Sequence, residues 1–172
     1  MDKGYIQVYT GTGKGKTTAS IGLAIRAAGS GKKVFIAQFV KSMEYNEIKI
    51  LRLLREYIEV KLYGHGCFIT KNPSQEDIVA AKKGLEEVLS IMQSYNYDLI
   101  ILDELTIAIY YGLLTIEEVM EFLRKKPHEI ELVITGRYTP KEVMEYADLV
   151  TDMVEIKHYY QQGVLSREGF DK

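Results

Sequence analysis

Tryptophan is absent from this chain of 172 residues, cysteine occurs once and proline three times. A lone Cys67 excludes an intrachain disulfide, so burial must hold the fold together, and a reducing cytoplasm is the expected compartment. No Pro/Ser-rich linker, repeat or low-complexity tract divides the sequence, and one domain over residues 1–172 is expected. No apolar run reaches the ~18 residues that a membrane span needs, and no charged-then-apolar leader precedes the first strand-like run. A net charge of −2 lends no support to a nucleic-acid or membrane-surface role. What remains is ordinary globular material, 47% hydrophobic and 27% charged.

The informative segment comes early. Tyr5-Ile-Gln-Val-Tyr9 reads as a strand, and Thr10-Gly-Thr-Gly-Lys-Gly-Lys-Thr-Thr18 follows it, before a helical pattern. Glycines let backbone N–H groups curl around an anion, and the next helix points its positive end at the same place. Gly11, Thr12, Gly13, Lys14, Gly15 and Thr18 are candidates for the cradle. Lys16 supplies a point charge at the distal phosphates and Thr17 a hydroxyl for Mg²⁺. The spacing is unusual. The common phosphate loop runs G-x-x-x-x-G-K-[ST], yet the residue five before Gly15 is Thr10, and the first glycine, Gly11, arrives one position late.

Apolar runs alternate with helical patterns. The runs are Tyr5–Tyr9, Lys33–Phe39, Glu59–Tyr63, Asp98–Leu102, Glu131–Thr135 and Leu149–Glu155. Most are continuous, as in parallel strands covered on both faces. The helices expected are Thr17–Ala28, Glu47–Glu56, Gln75–Ser94, Ile116–Lys125 and Lys141–Ala147. Ser74 with Asp77, and Thr115 with Glu118, read as N-terminal caps. Pro140 reads as a first helical residue. The fold class is α/β: a P-loop NTPase-like, doubly wound, mostly parallel six-stranded sheet (RecA-like) with helices on both faces. Ligands in such folds sit beyond the carboxyl ends of the strands.

Residues that follow strands are therefore the candidates. Asp103 ends an apolar run and fits a Walker-B carboxylate reaching Mg²⁺. Glu104 either polarises a water or hydrogen-bonds a ribose hydroxyl. Arg137 either stabilises a leaving polyphosphate or forms a surface ion pair. Gln38 and Lys41 end another run. Arg26 lies on the first helix, as a site residue or as part of its polar face. His158 is a ligand contact or a structural histidine. His65 and Cys67, in the loop Gly64–Thr70, have poor zinc spacing. That loop is apolar enough to close over a flat substrate.

Taken together, these residues resemble the P-loop-type ATP:corrinoid adenosyltransferases, over essentially the whole chain. The resemblance rests on Gly11–Thr18 with its late first glycine, Arg26–Gly31, Gln38–Lys41, Gly64–Phe68, Leu102–Glu104, Thr135–Arg137, Ala147–Met153, Lys157-His158 and Gly163. It implies transfer of the 5′-deoxyadenosyl group of ATP to the cobalt of a reduced Co(I) corrinoid, with release of triphosphate. ATP would lie reversed along the loop, presenting C5′ rather than the γ-phosphate. It further implies Mg²⁺ on Thr17 and Asp103. Lys16, Glu104 and Arg137 would be catalytic, Arg26 and His158 would join the loop in holding ATP, and Phe68 and Ile69 would contact the corrinoid. The expected partners are an electron donor such as a flavoprotein and a second copy in a homodimer. Many relatives carry a Trp near Phe68, where this chain has Ile69 or Thr70. The chain also starts at about its first strand, so a more open corrin site, or one completed by a partner subunit, is expected. A conventional P-loop ATPase or kinase using Glu104, and a non-catalytic carrier of ATP and corrinoid, are the alternatives.

Overall fold

A computed structural model of the chain describes residues 3–41, 44–64 and 73–171. Among these residues six strands form one sheet: β1 (Ile6–Thr10), β2 (Val34–Gln38), β3 (Ile58–Leu62), β4 (Leu99–Asp103), β5 (Glu131–Thr135) and β6 (Leu149–Asp152). The order is β3-β2-β4-β5-β1-β6. Every pairing is parallel. The α/β expectation holds, with each strand within a residue or so of its expected place except at the end of β6.

The continuous apolar runs are explained by the two sides of the sheet. Successive side chains of a strand point to opposite faces. Phe35, Ala37, Ile100, Leu102, Leu132 and Ile134 enter one core. Their neighbours Val34, Ile36, Leu99, Ile101 and Val133 enter the other. The first core packs against α3 (Gln75–Gln93), α4 (Leu105–Tyr110), α5 (Ile116–Arg124) and α6 (Lys141–Tyr146). The second packs against α1 (Lys16–Gly29) and α2 (Asn46–Leu51). β6 differs: all four of its residues are exposed, including Leu149 and Val150.

Both expected capping boxes are present. Ser74 accepts from Asp77 N and Thr115 from Glu118 N, and each acid returns a bond to the cap backbone. Pro140 is one position earlier than expected. It is the N-cap of α6, in extended geometry with ψ 146°, and Lys141 begins the helix. The expected Glu47–Glu56 helix is shorter, with α2 running into a 3₁₀ turn at Arg52–Leu54. The helix α4 was not anticipated. Its sequence, LTIAIY, favours a strand by residue type. The backbone of Glu104 turns left-handed (φ 59°) and ends β4, after which Leu105, Thr106 and Ala108 are buried. Packing overrides propensity there.

One lysine secures the strand starts. Lys126 Nζ donates to Gly4 O (3.0 Å), Pro127 O (2.9 Å) and Ile130 O (2.7 Å). Lys126→Met would leave three carbonyls without this donor. The expected loss is about 2 kcal/mol, read as a lower urea midpoint at unchanged slope.

Candidate functional site

The carboxyl ends of β1, β2, β4 and β5 converge on one cavity of about 760 Å³. Lys16, Thr17, Lys41, Glu104 and Arg137 form its polar side. Tyr45, Ile50, Tyr159, Tyr160, Val164 and Phe170 supply aromatic and apolar lining. A volume of this order accommodates a cofactor-sized ligand.

The phosphate loop is held from behind by the chain leaving β6. Gly13 N donates to Met153 O at 2.6 Å. A Cβ on Gly13 would lie 2.6 Å from that same oxygen. Gly15 closes the loop at φ 120° and is the N-cap of α1. The first N–H groups of α1 therefore face the cavity without intrahelical partners. Lys16 is buried, and its Nζ donates to Gly11 O (2.8 Å) and Gly13 O (2.6 Å). Burial, then the nearby Arg137 charge, lower its pKa, against Glu104 and Asp152. The loop is thus short of negative charge, and an anion in the cavity would supply it.

Buried Asp103, the last residue of β4, is a second hub. Its Oδ1 accepts from Thr17 Oγ1 (2.8 Å) and Thr135 Oγ1 (2.7 Å). Its Oδ2 accepts from Lys41 Nζ (2.7 Å) and Gln38 Nε2 (3.1 Å). Four elements meet at this carboxylate although β5 separates β1 from β4. Thr135 links the ends, since its Oγ1 also accepts from Glu104 N at 3.0 Å. The donor set suits a small hard cation: a hydroxyl, a carboxylate and Gln38 Oε1, which is buried without a hydrogen-bond partner among the described residues. Among those residues no group of three or more His, Cys, Asp or Glu is arranged for a metal. A cation here would rely on one or two carboxylates and on the phosphates of a ligand.

Glu104 lines the cavity beside this hub. Burial, and then the Asp103 charge, raise its pKa, with Lys41, Lys16 and Arg137 pulling the other way. A carboxyl with a raised folded-state pKa costs stability once ionised. That cost is absent below the ordinary value of 4.5 and complete above the raised one. Ligand-free Glu104→Gln is therefore expected to be more stable than the wild type at pH 8 and equal to it near pH 4. Thermal unfolding at the two pH values checks this.

Backbone strain collects at the same strand ends. Among the described residues four non-glycines have positive φ, and three of them follow β2, β4 and β5: Val40 (55°), Glu104 (59°) and Tyr138 (57°). They adjoin or include Lys41, Glu104 and Arg137. Such geometry costs of order 1–3 kcal/mol per residue and persists where the surroundings enforce it. Nothing in residue type announced it, and for β-branched Val40 residue type argues against it.

Other expected site residues fall in different places. Arg26 stands apart from the cavity, in the exposed last turn of α1, about 15 Å along the helix from Lys16. Lys14 borders the cavity, but its amine is engaged by Tyr159 Oη (2.9 Å) and the Asp171 carboxylate. Beyond β6 the chain makes a 3₁₀ turn, Tyr159–Gln162, with Gly163 left-handed. The tail then returns to the phosphate loop, where Arg167 also reaches Asp171 at 3.0 Å. His158 lines the cavity and also makes a local structural contact. Its Nδ1 accepts from Tyr160 N (3.0 Å), which leaves Nε2–H as the donor of a residue lining the cavity. His65, Cys67, Phe68 and Ile69 lie outside the described residues.

Comparison with known proteins fits this geometry. The family profile described as ATP:corrinoid adenosyltransferase BtuR/CobO/CobP matches residues 2–171. The chain belongs to this family. It is 35% identical over 170 residues to the corrinoid adenosyltransferase of Escherichia coli K12, covering 99% of this chain and 86% of that protein. It is 33% identical to the corrinoid adenosyltransferase CobA of Salmonella typhimurium LT2, with the same coverage. A Pseudomonas aeruginosa corrinoid adenosyltransferase is 30% identical over 171 residues, covering 99% and 84%. Membership gives the split character of the cavity a meaning. One side carries Lys16, Thr17, Lys41 and Arg137, and the other offers aromatic and apolar surface.

Proposed function

We propose that the protein adenosylates a corrinoid: the cobalt of a Co(I) corrinoid attacks C5′ of ATP, the C5′–O bond breaks, and triphosphate leaves with that electron pair. Two electrons on cobalt form the new Co–C bond, so no proton is removed and no general base is needed. The observation that carries the reading is the pairing of buried, anion-seeking Lys16 with Arg137 and Glu104 in one cavity whose other lining is aromatic and apolar.

On this reading the N-terminal amides of α1 and Lys16 bind the triphosphate, and Arg137 adds charge where negative charge develops on the leaving group. Thr17 and Asp103 hold Mg²⁺, which would neutralise phosphate charge. Glu104 and His158 orient the nucleoside end, so that C5′ faces the open part of the cavity. Orientation contributes much of the rate in a reaction of this kind. Phe68 and Ile69 contact the corrinoid. An electron donor such as a flavoprotein supplies Co(I), and the enzyme works in the cytoplasm as a homodimer. Exposed Leu149, Val150, Val154 and Ile156, along and beyond an uncovered edge strand, support a subunit contact.

The test is anaerobic: purified protein, ATP, Mg²⁺ and chemically reduced cob(I)alamin. The expected result is a light-sensitive alkylcobalamin with one triphosphate per cobalt. ADP and phosphate without a spectral change would indicate a conventional ATPase using Glu104.

A further inference from the structure

Lys41 makes a contact that the reaction above does not use. Its ammonium donates to Asp103 Oδ2 at 2.7 Å, with side-chain exposures of 16% and 1%. On its other oxygen Asp103 accepts from Thr17, so the ammonium sits against the carboxylate assigned to Mg²⁺. Its placement is specific. Val40, just before it, is left-handed, and Lys41 O accepts from Gly64 N at 3.1 Å. Lys41 also lines the cavity, close to where phosphates would lie. An ammonium on one oxygen of a carboxylate and a divalent cation on the other lie close enough to repel each other strongly in a buried site. A lysine head group on a flexible stem can, however, move a short way to a second anion.

We propose that Lys41 is the resident counter-ion of Asp103 and makes the cation site conditional on nucleotide. Without ligand the ammonium holds the carboxylate. A polyphosphate in the cavity gives it a second anionic partner, and Asp103 is then open to Mg²⁺. Metal and nucleotide consequently bind with positive coupling, and divalent metal alone binds weakly. Lys41 is in this sense a positioning residue. The inference rests on the assignment of Mg²⁺ to Thr17 and Asp103.

The test uses Mn²⁺ as an EPR-visible probe and requires no turnover. Mn²⁺ alone should bind Lys41→Met about tenfold more tightly than the wild type, because its competitor is gone. ATP in the presence of EDTA should bind Lys41→Met about tenfold more weakly, because a phosphate partner is gone. Asp103→Asn, measured with ATP present, should lose Mn²⁺ binding. If Asp103→Asn loses Mn²⁺ while Lys41→Met matches the wild type within twofold in both titrations, Lys41 is only structural and the proposal fails. If Asp103→Asn binds Mn²⁺ like the wild type, the metal assignment itself falls and takes the proposal with it. Should Lys41→Met fail to fold by circular dichroism, Lys41→Gln replaces it. The neutral amide keeps a donor for Asp103, and the same two changes are expected.

Discussion

Replacing Lys16 by alanine is expected to lower corrinoid adenosylation at least about a thousandfold and to weaken ATP binding with it. The lysine is buried at 6% exposure and bridges two loop carbonyls at 2.8 and 2.6 Å. Its charge has little water around it, so an incoming triphosphate gains more from it than from a surface lysine. Arg137 lowers its pKa further, which means that two cations already wait for negative charge. Lys16→Arg should not rescue the loss, because a planar guanidinium does not fit between Gly11 O and Gly13 O as a compact ammonium does. Calorimetry with ATP and the anaerobic spectral assay together decide the matter. Wild-type turnover in Lys16→Ala would remove the phosphate loop from the reaction.

Much of this site was legible because it is written in short segments at strand ends. A glycine-rich loop after one apolar run, an Asp-Glu pair after another and a Gly-Arg pair after a third are local patterns, and a parallel sheet brings strand ends together without further instruction. Contacts that depend on the path of a distant segment were not legible. Lys14 meets Asp171, 157 positions away, and no spacing rule anticipates that. The same holds for the grip of Lys41 on Asp103 and for Met153 backing the loop. The helix α4 was hidden because its β-branched residues point to a strand, while the left-handed turn at Glu104 that redirects them has no residue signature. Arg26 was ambiguous for a simpler reason. A basic residue on this helix reads alike as a site residue or as part of the polar face, and only the fold shows that Arg26 is not among the residues lining the cavity.

The late first glycine leads to the second large effect. Gly11→Ala is expected to destabilise the protein by about 3 kcal/mol or more and to abolish measurable ATP binding. Gly11 has φ 101°, outside the range that L side chains adopt readily. An added Cβ would also run into Asp152 Oδ1 and would lie 2.5 Å from Met153 O. Thr10 pairs with Asp152, so relief of the clash would push β6 from β1 or lift the loop from its support. Either movement disturbs Gly11 O, which Lys16 needs. Gly22→Ala is the control, because nothing lies within 4 Å of its added Cβ on α1. That change should stabilise the protein by about 0.5–1 kcal/mol through helix propensity alone. Urea unfolding of the two variants beside the wild type should therefore move in opposite directions. A Gly11→Ala protein as stable as the wild type would mean that the loop and β6 are not clamped together, and that the unusual glycine spacing reflects something other than this close approach.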